Sequence, residues 1–157
     1  MYPDSSKNLN KETDSTVYFF TSAFYPLDNY SAHSLDIWGK TFPTAEHAYQ
    51  WKKFSESNPV IADQILKAKS PEAVKNISDN GKAYQPQNWH DIKLEVMKEI
   101  LNAKFNQHDD VKDILRKTKE KIIVENSPVD SFWGAGPNQN GENKVGKIWM
   151  ELRKALT

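Results

Sequence analysis

The chain contains no cysteine among its 157 residues, which excludes disulfides, a thiolate nucleophile and a thiolate metal site. Arginine is nearly as scarce: only Arg116 and Arg153 stand among 21 basic residues, so bidentate clamping of phosphate has few candidates. Net charge is also missing, since the 21 basic side chains are balanced by 21 acidic ones. That argues against wholesale capture of nucleic acid by a basic field and leaves room only for a local basic cleft. No apolar run approaches the ~18 residues of a membrane span, and residues 1–16 are polar, without a signal-peptide core. A soluble, cytoplasmic protein with no membrane partner is the expectation. His33, His47, His90 and His108 are dispersed, with no HxxxH or HxxE pair, so neither a metal nor a cofactor is expected. No nucleophile elbow supports a serine triad.

What is present is mostly helical pattern. Residues 1–16 are polar and aperiodic and read as a flexible tail. Val17-Tyr18-Phe19-Phe20 reads as a strand, and residues 21–34 as a loop by their turn residues. Residues 35–40 alternate apolar and polar, a second short strand ending at Gly39. Asn58-Pro59 and Ser70-Pro71 each set an N-cap before a helix-opening proline, predicting helices over 60–69 and 72–78. Asn80-Gly81 ends the second of these. Ile92, Val96, Met97, Ile100, Leu101 and Phe105 predict a long helix over 88–106. Val111, Ile114 and Leu115 suggest a short helix, and Ile122-Ile123-Val124 a buried strand. Val145, Ile148, Trp149, Leu152 and Leu156 mark a closing helix. The fold class that follows is α+β, a helix-rich single domain over 17–157 with a small β-sheet.

Three segments combine residues that could carry chemistry. In Phe42-Pro43-Thr44-Ala45-Glu46-His47-Ala48-Tyr49-Gln50-Trp51-Lys52-Lys53-Phe54, Thr44 is a good N-cap. Glu46, Gln50 and Lys53 then fall at i, i+4 and i+7 on one helix face, with Lys52 turned away by about 120°. A first-turn carboxylate is also explained by the helix dipole alone. The segment from Glu125 to Gly136 follows an apolar strand. It offers Asp130 as an acid, Trp133 as a flat face, and Gly134 and Gly136 where backbone could approach a ligand; a plain turn anchored by tryptophan accounts for it as well. The Gly/Asn-rich run from Pro137 to Gly146 enters the last helix and could receive phosphate on free N–H groups, or be a solvated loop. Trp89 opens the long helix, where core packing is the ordinary role.

Taken in order, these segments resemble the NADAR family, the YbiA-like domain. The resemblance runs from Phe24-Tyr25-Pro26 through Gly39-Lys40-Thr41-Phe42-Pro43-Thr44-Ala45-Glu46-His47 and the rest of the first helix. It continues with Trp89, Ala103-Lys104-Phe105, Asp130-Ser131-Phe132-Trp133-Gly134-Ala135-Gly136 and Gly141-Glu142-Asn143-Lys144-Val145-Gly146. It implies hydrolysis of an N-glycosidic bond between a ribose anomeric carbon and a base nitrogen. The implied partner is a ribosylated nucleotide-type small molecule: ADP-ribosylated guanine, extending to ADP-ribosylated nucleic acid, or a phosphoribosylated riboflavin intermediate. It further implies Glu46, Lys53 and Asp130 as catalytic residues, and Trp89, Trp133, Gly134, Asn143 and Gly146 as substrate contacts. Two departures stand out. Thr21-Ser22-Ala23-Phe24 lacks the family's asparagine, and the segment before Trp89 lacks arginines, leaving Lys82 as the local cation for phosphate. A lysine kept neutral by burial could form a Schiff base with the opened ribose, which is the expectation for Lys53. A non-catalytic module binding ADP-ribose or an NAD-like ligand is the alternative from another class.

Overall fold

The computed structural model describes residues 9–20 and 25–156. Residues 1–8 of the expected tail and Thr21–Phe24, the site of the asparagine departure, lie outside the described residues. In chain order the elements are β1 (Lys11–Glu12), β2 (Thr16–Phe19), β3 (Leu35–Ile37), β4 (Lys40–Phe42), α1 (Ala45–Phe54), α2 (Pro59–Lys67), α3 (Pro71–Asn80), a 3-10 turn (Lys82–Tyr84), α4 (Trp89–Gln107), α5 (Asp109–Lys117), β5 (Ile122–Glu125), α6 (Lys144–Arg153) and a closing 3-10 turn (Lys154–Leu156). This is the helix-rich α+β architecture with little sheet that the sequence predicts. No helix among the described residues is long and apolar enough to cross a membrane. By contacts the chain divides into two units, Met1–Asp28 with Asp109–Thr157, and Asn29–His108.

The first unit is organised by a three-stranded sheet in the order β1-β2-β5. β2 runs parallel to β5, with Val17 opposite Ile123, and antiparallel to β1, with Lys11 opposite Tyr18. Val17, Phe19 and Ile123 are buried, as suits β-branched and aromatic residues on a half-covered pleat. β1 falls inside the stretch that reads as a flexible tail, and the correction has a local cause. The Asn10 amide imitates a strand residue: its Oδ1 accepts from Phe20 N at 2.9 Å and its Nδ2 donates to Phe20 O at 3.2 Å. Lys121 adds an ion pair to Glu12 at 2.8 Å. α6 packs on β5 through buried Val145, Ile148 and Trp149, and the Trp149 indole N–H donates to Leu27 O at 3.0 Å. Arg153 closes the unit by donating to Thr118 Oγ1 at 2.9 Å and Lys121 O at 2.8 Å.

The second unit is helical apart from one hairpin. β3 and β4 pair antiparallel, Leu35 opposite Phe42 and Ile37 opposite Lys40. Trp38 and Gly39 both have positive φ, 54° and 74°, the backbone of a type I′ turn. The sequence predicts one strand over 35–40 here. The turn instead splits it, because Gly39 permits the reversal inside the alternating run. α1, α2 and α3 open as their caps dictate: Thr44, Asn58 and Ser70 each accept from the backbone N–H three residues on. Phe54, Ala62, Ile65 and Val74 join these three helices in one buried cluster. α4 turns Val96, Met97, Ile100, Leu101 and Phe105 inward, while Ile92, expected on the same stripe, is 37% exposed. Lys104 shares that inner face and is fully buried, with its amine donating to Ser31 Oγ at 2.7 Å.

Candidate active site

α1 carries its polar residues inward, against the usual preference. Glu46, His47 and Gln50 are all buried, and buried polar groups persist only when partnered. His47 is a structural tie. Its Nε2 lies 2.9 Å from Ala68 O, so this nitrogen carries the proton, and Nδ1 accepts from Thr44 Oγ1 at 2.7 Å. Burial holds its pKa below the ordinary histidine value, consistent with a neutral ring anchoring the helix start.

The face predicted from i, i+4, i+7 spacing exists and is linked end to end. Gln50 Nε2 donates to Glu46 Oε1 at 2.8 Å. Ser78 Oγ donates to Gln50 Oε1 at 2.6 Å, and Lys53 Nζ donates to Ser78 Oγ at 3.3 Å. Every donor in this chain therefore points from Lys53 toward Glu46. The Lys53 amine also lies 5.6 Å from the Tyr49 ring, 5.9 Å from Phe54 and 5.7 Å from Trp89. Tyr49 and Trp89 pack tilted at 5.2 Å, both buried. Burial lowers the Lys53 pKa from 10.5 to about 8; Glu46 opposes the fall, Lys75 adds to it, Asp79 opposes and Lys93 adds. At pH 7 such an amine is neutral about one time in ten, against about one in 3000 for an ordinary lysine. Lys52 is placed elsewhere, its amine 5.0 Å above the Trp38 ring.

Ser78, on α3, is the member that sequence reasoning missed. Its contact with Gln50 spans 28 residues and is made by the packing of α3 on α1, so no local spacing announces it. Gln50 was visible on the predicted face but carried no role. Lys82 is exposed at the first position of the 3-10 turn before α4.

The first unit holds Asp130, Trp133, Gly134, Asn143 and Gly146, and there local packing accounts for several of them. Asp130 Oδ1 accepts from Phe132 N at 2.9 Å and Trp133 N at 2.7 Å, so this carboxylate shapes its own loop. Trp133 is half-buried, edge-on to Phe132 at 4.7 Å. A Cβ at Gly134 would sit 2.5 Å from Glu125 O, so glycine there reflects close backbone packing. Asn143 adopts the left-handed conformation, φ 50°. Its side chain extends β5, Oδ1 accepting from Glu125 N at 3.0 Å and Nδ2 donating to Ile123 O at 2.8 Å. Gly146 lets α6 approach the same strand, since a Cβ would lie 2.1 Å from Ile123 O.

The phosphate-receiving loop expected over 141–146 meets a direct obstacle. Its N–H groups at Gly141, Glu142, Asn143, Lys144 and Val145 each donate to a carbonyl of the 131–135 segment. Those five donors are engaged within the protein, and Asn143 and Gly146 serve the β5–α6 packing. A surface cleft of about 440 Å³ also lies on this unit, with Lys11, Asn126, Pro128 and Gln139 in its walls. None of the predicted site residues lines it, and the chemistry of Lys53 and Glu46 outweighs its size as a guide to function.

Known proteins resemble this chain over most of its length. The NADAR domain pattern matches residues 9–157. The N-glycosidase Npun_R5314 of Nostoc punctiforme is 34% identical over 144 residues, covering 90% of this chain and 92% of its own. Riboflavin biosynthesis protein VVA0006 of Vibrio vulnificus is 31% identical over 137 residues, which cover 87% of this chain and 35% of that longer protein. The NMR structure of the Escherichia coli protein YbiA superposes with a TM-score of 0.78 at 29% identity, covering 99% of this chain and 93% of YbiA. A pattern match over nearly the whole chain, a relative above 30% identity and a shared fold give one conclusion: the chain belongs to the NADAR domain family.

Proposed function

We propose that the protein is an N-glycosidase that cleaves the bond between a ribose anomeric carbon and a base-type nitrogen. The observation that carries the reading is the Glu46–Gln50–Ser78–Lys53 chain beneath three aromatic rings. It couples a buried carboxylate to an amine with an appreciable neutral fraction at physiological pH, a combination a binding module does not need. Relatives named N-glycosidase and riboflavin biosynthesis protein support the same class.

In this reading the neutral Lys53 amine attacks the anomeric carbon. The C–N bond breaks, its electron pair goes to the base nitrogen, and a carboxylate relays to that nitrogen the proton shed by the attacking amine. Glu46 is the first candidate for that transfer and Asp130 the second. Loss of a proton from the new amine and opening of the ribose give an imine. Water then adds at the anomeric carbon and releases the sugar and the lysine. Trp89 contributes an apolar wall through its ring beside Lys53, Trp133 is assigned a flat contact for the base, and Lys82 is the cation assigned to phosphate. The NADAR domain, matched over residues 9–157, acts in the cytoplasm.

The substrate assignment is ADP-ribosylated guanine, free or in nucleic acid, or a phosphoribosylated riboflavin intermediate. The test is incubation with each, side by side, with base release followed by chromatography and parallel samples quenched with borohydride. Base release with a reduced adduct at Lys53 is the expected result. Tight binding without base release after overnight incubation would mean a non-catalytic ADP-ribose or NAD-like ligand module instead.

A further inference from the structure

We propose that Gln50 and Ser78 are positioning residues forming a neutral spacer, which prevents a direct ion pair between Glu46 and Lys53 and aims the lysine lone pair. The inference rests on Lys53 being the nucleophile of the preceding reading. Glu46 and Lys53 share one face of α1, and a direct buried pair between them would hold the amine as ammonium. Gln50 occupies the position between them and cannot change charge. Its amide satisfies Glu46 through N–H and receives Ser78 through its carbonyl.

Ser78 then has only lone pairs to offer Lys53, because its single hydroxyl hydrogen is engaged by Gln50 at 2.6 Å. It accepts one N–H from the amine and so fixes rotation about the terminal C–N bond. With that hydrogen fixed, the amine's remaining positions face away from Ser78, in a surround formed by Tyr49, Phe54 and Trp89. The charged groups acting on Lys53 are Glu46 on its own helix, Lys75 and Asp79 on α3, and Lys93 on α4. Lys75 and Asp79 pair with each other at 2.6 Å, which reduces what either contributes. Among the described residues, the neutral contact to Ser78 is thus the one hydrogen bond given to the amine.

The test separates charge from aim. Competitive acylation of Lys53 across pH 6–11, read by peptide mass spectrometry, reports the amine without requiring turnover. Ser78→Asp places a carboxylate against the amine and should raise its apparent pKa by about one unit or more, cutting labelling at pH 7.5 about tenfold. Ser78→Ala should leave the labelling midpoint within about half a unit, because burial is unchanged, while kcat falls about tenfold at constant KM. Should Ser78→Asp fail to fold, the Ser78→Ala split decides alone. A labelling profile unmoved by Ser78→Asp, or full kcat in Ser78→Ala, overturns the spacer. Expected labelling in a parent protein that releases no base would instead overturn the glycosidase reading.

Discussion

Lys52 and Lys53 are consecutive residues whose amines end in unrelated surroundings. Lys52 Nζ lies 5.0 Å from the Trp38 ring, while Lys53 Nζ lies 3.3 Å from Ser78 Oγ and 5.7 Å from the Trp89 ring. One step of about 100° around a helix separates an amine over Trp38 from one hydrogen-bonded to Ser78, although both side chains are half-buried.

That separation gives the first prediction. Lys53→Ala should abolish borohydride-trapped adduct and lower kcat by about 10²-fold or more, whereas Lys52→Ala should stay within about threefold of the parent. Both are read in one steady-state series with trapping. Near-normal turnover in Lys53→Ala would end the nucleophile assignment.

Glu46→Gln keeps shape and removes charge. As a proton-transfer group Glu46 should cost about 10²–10⁴-fold in kcat when replaced, with little change in KM. A loss below tenfold would return Glu46 to the role of a dipole-matched first-turn acid, and thermal unfolding of the same variant would then register its contribution.

Acidity sets the third prediction. In the proposed reaction Lys53 attacks as the neutral amine, so kcat/KM should rise with pH and level off above about 8, the depressed value. Stability carries the same sign. Folding lowers this pKa, so the unfolded chain binds more protons between about 8 and 10.5 and stability rises with pH through that window. Burying the charged amine is a cost present below pH 8. Lys53→Met should therefore gain most over the parent near pH 7 and lose that gain by about pH 10.5, as measured by urea unfolding at several pH values.

Two glycines separate steric fit from backbone strain. Gly146→Ala would force a Cβ to 2.1 Å from Ile123 O and should cost about 3 kcal/mol or more, by parting α6 from β5. Gly39→Ala meets nothing within 4 Å but keeps a φ of 74°, so the cost should be about 1–2 kcal/mol. Equal losses in denaturant titrations would contradict this division.

Local chemistry made much of this structure readable in advance. Thr44, Asn58 and Ser70 announced three helix starts, and the Glu46 face followed from spacing alone. What stayed hidden was made by contacts between distant segments. Ser78 became part of the site through α3 packing on α1. Asn10 and Asn143 looked like loop residues because asparagine favours loops, yet each substitutes for a strand backbone through its amide. Asn143 and Gly146 share motif positions with the family, and a motif does not distinguish a ligand contact from a packing requirement. The Trp38-Gly39 reversal was concealed because a tight turn interrupts alternation without any polar run.

The parallel pairing of β2 with β5 joins Thr16–Phe19 to Ile122–Glu125, residues more than a hundred positions apart. During synthesis β2 leaves the ribosome long before its partner exists, so its apolar residues wait for the chain's last third. Loop-closure entropy makes this the slow, high-contact-order step of folding. Asn29–His108, whose helices follow one another closely, has all of its own contacts available earlier. A ribosome-arrested chain ending near residue 120 should show protease protection in that segment, with β2 still cleavable until β5 emerges.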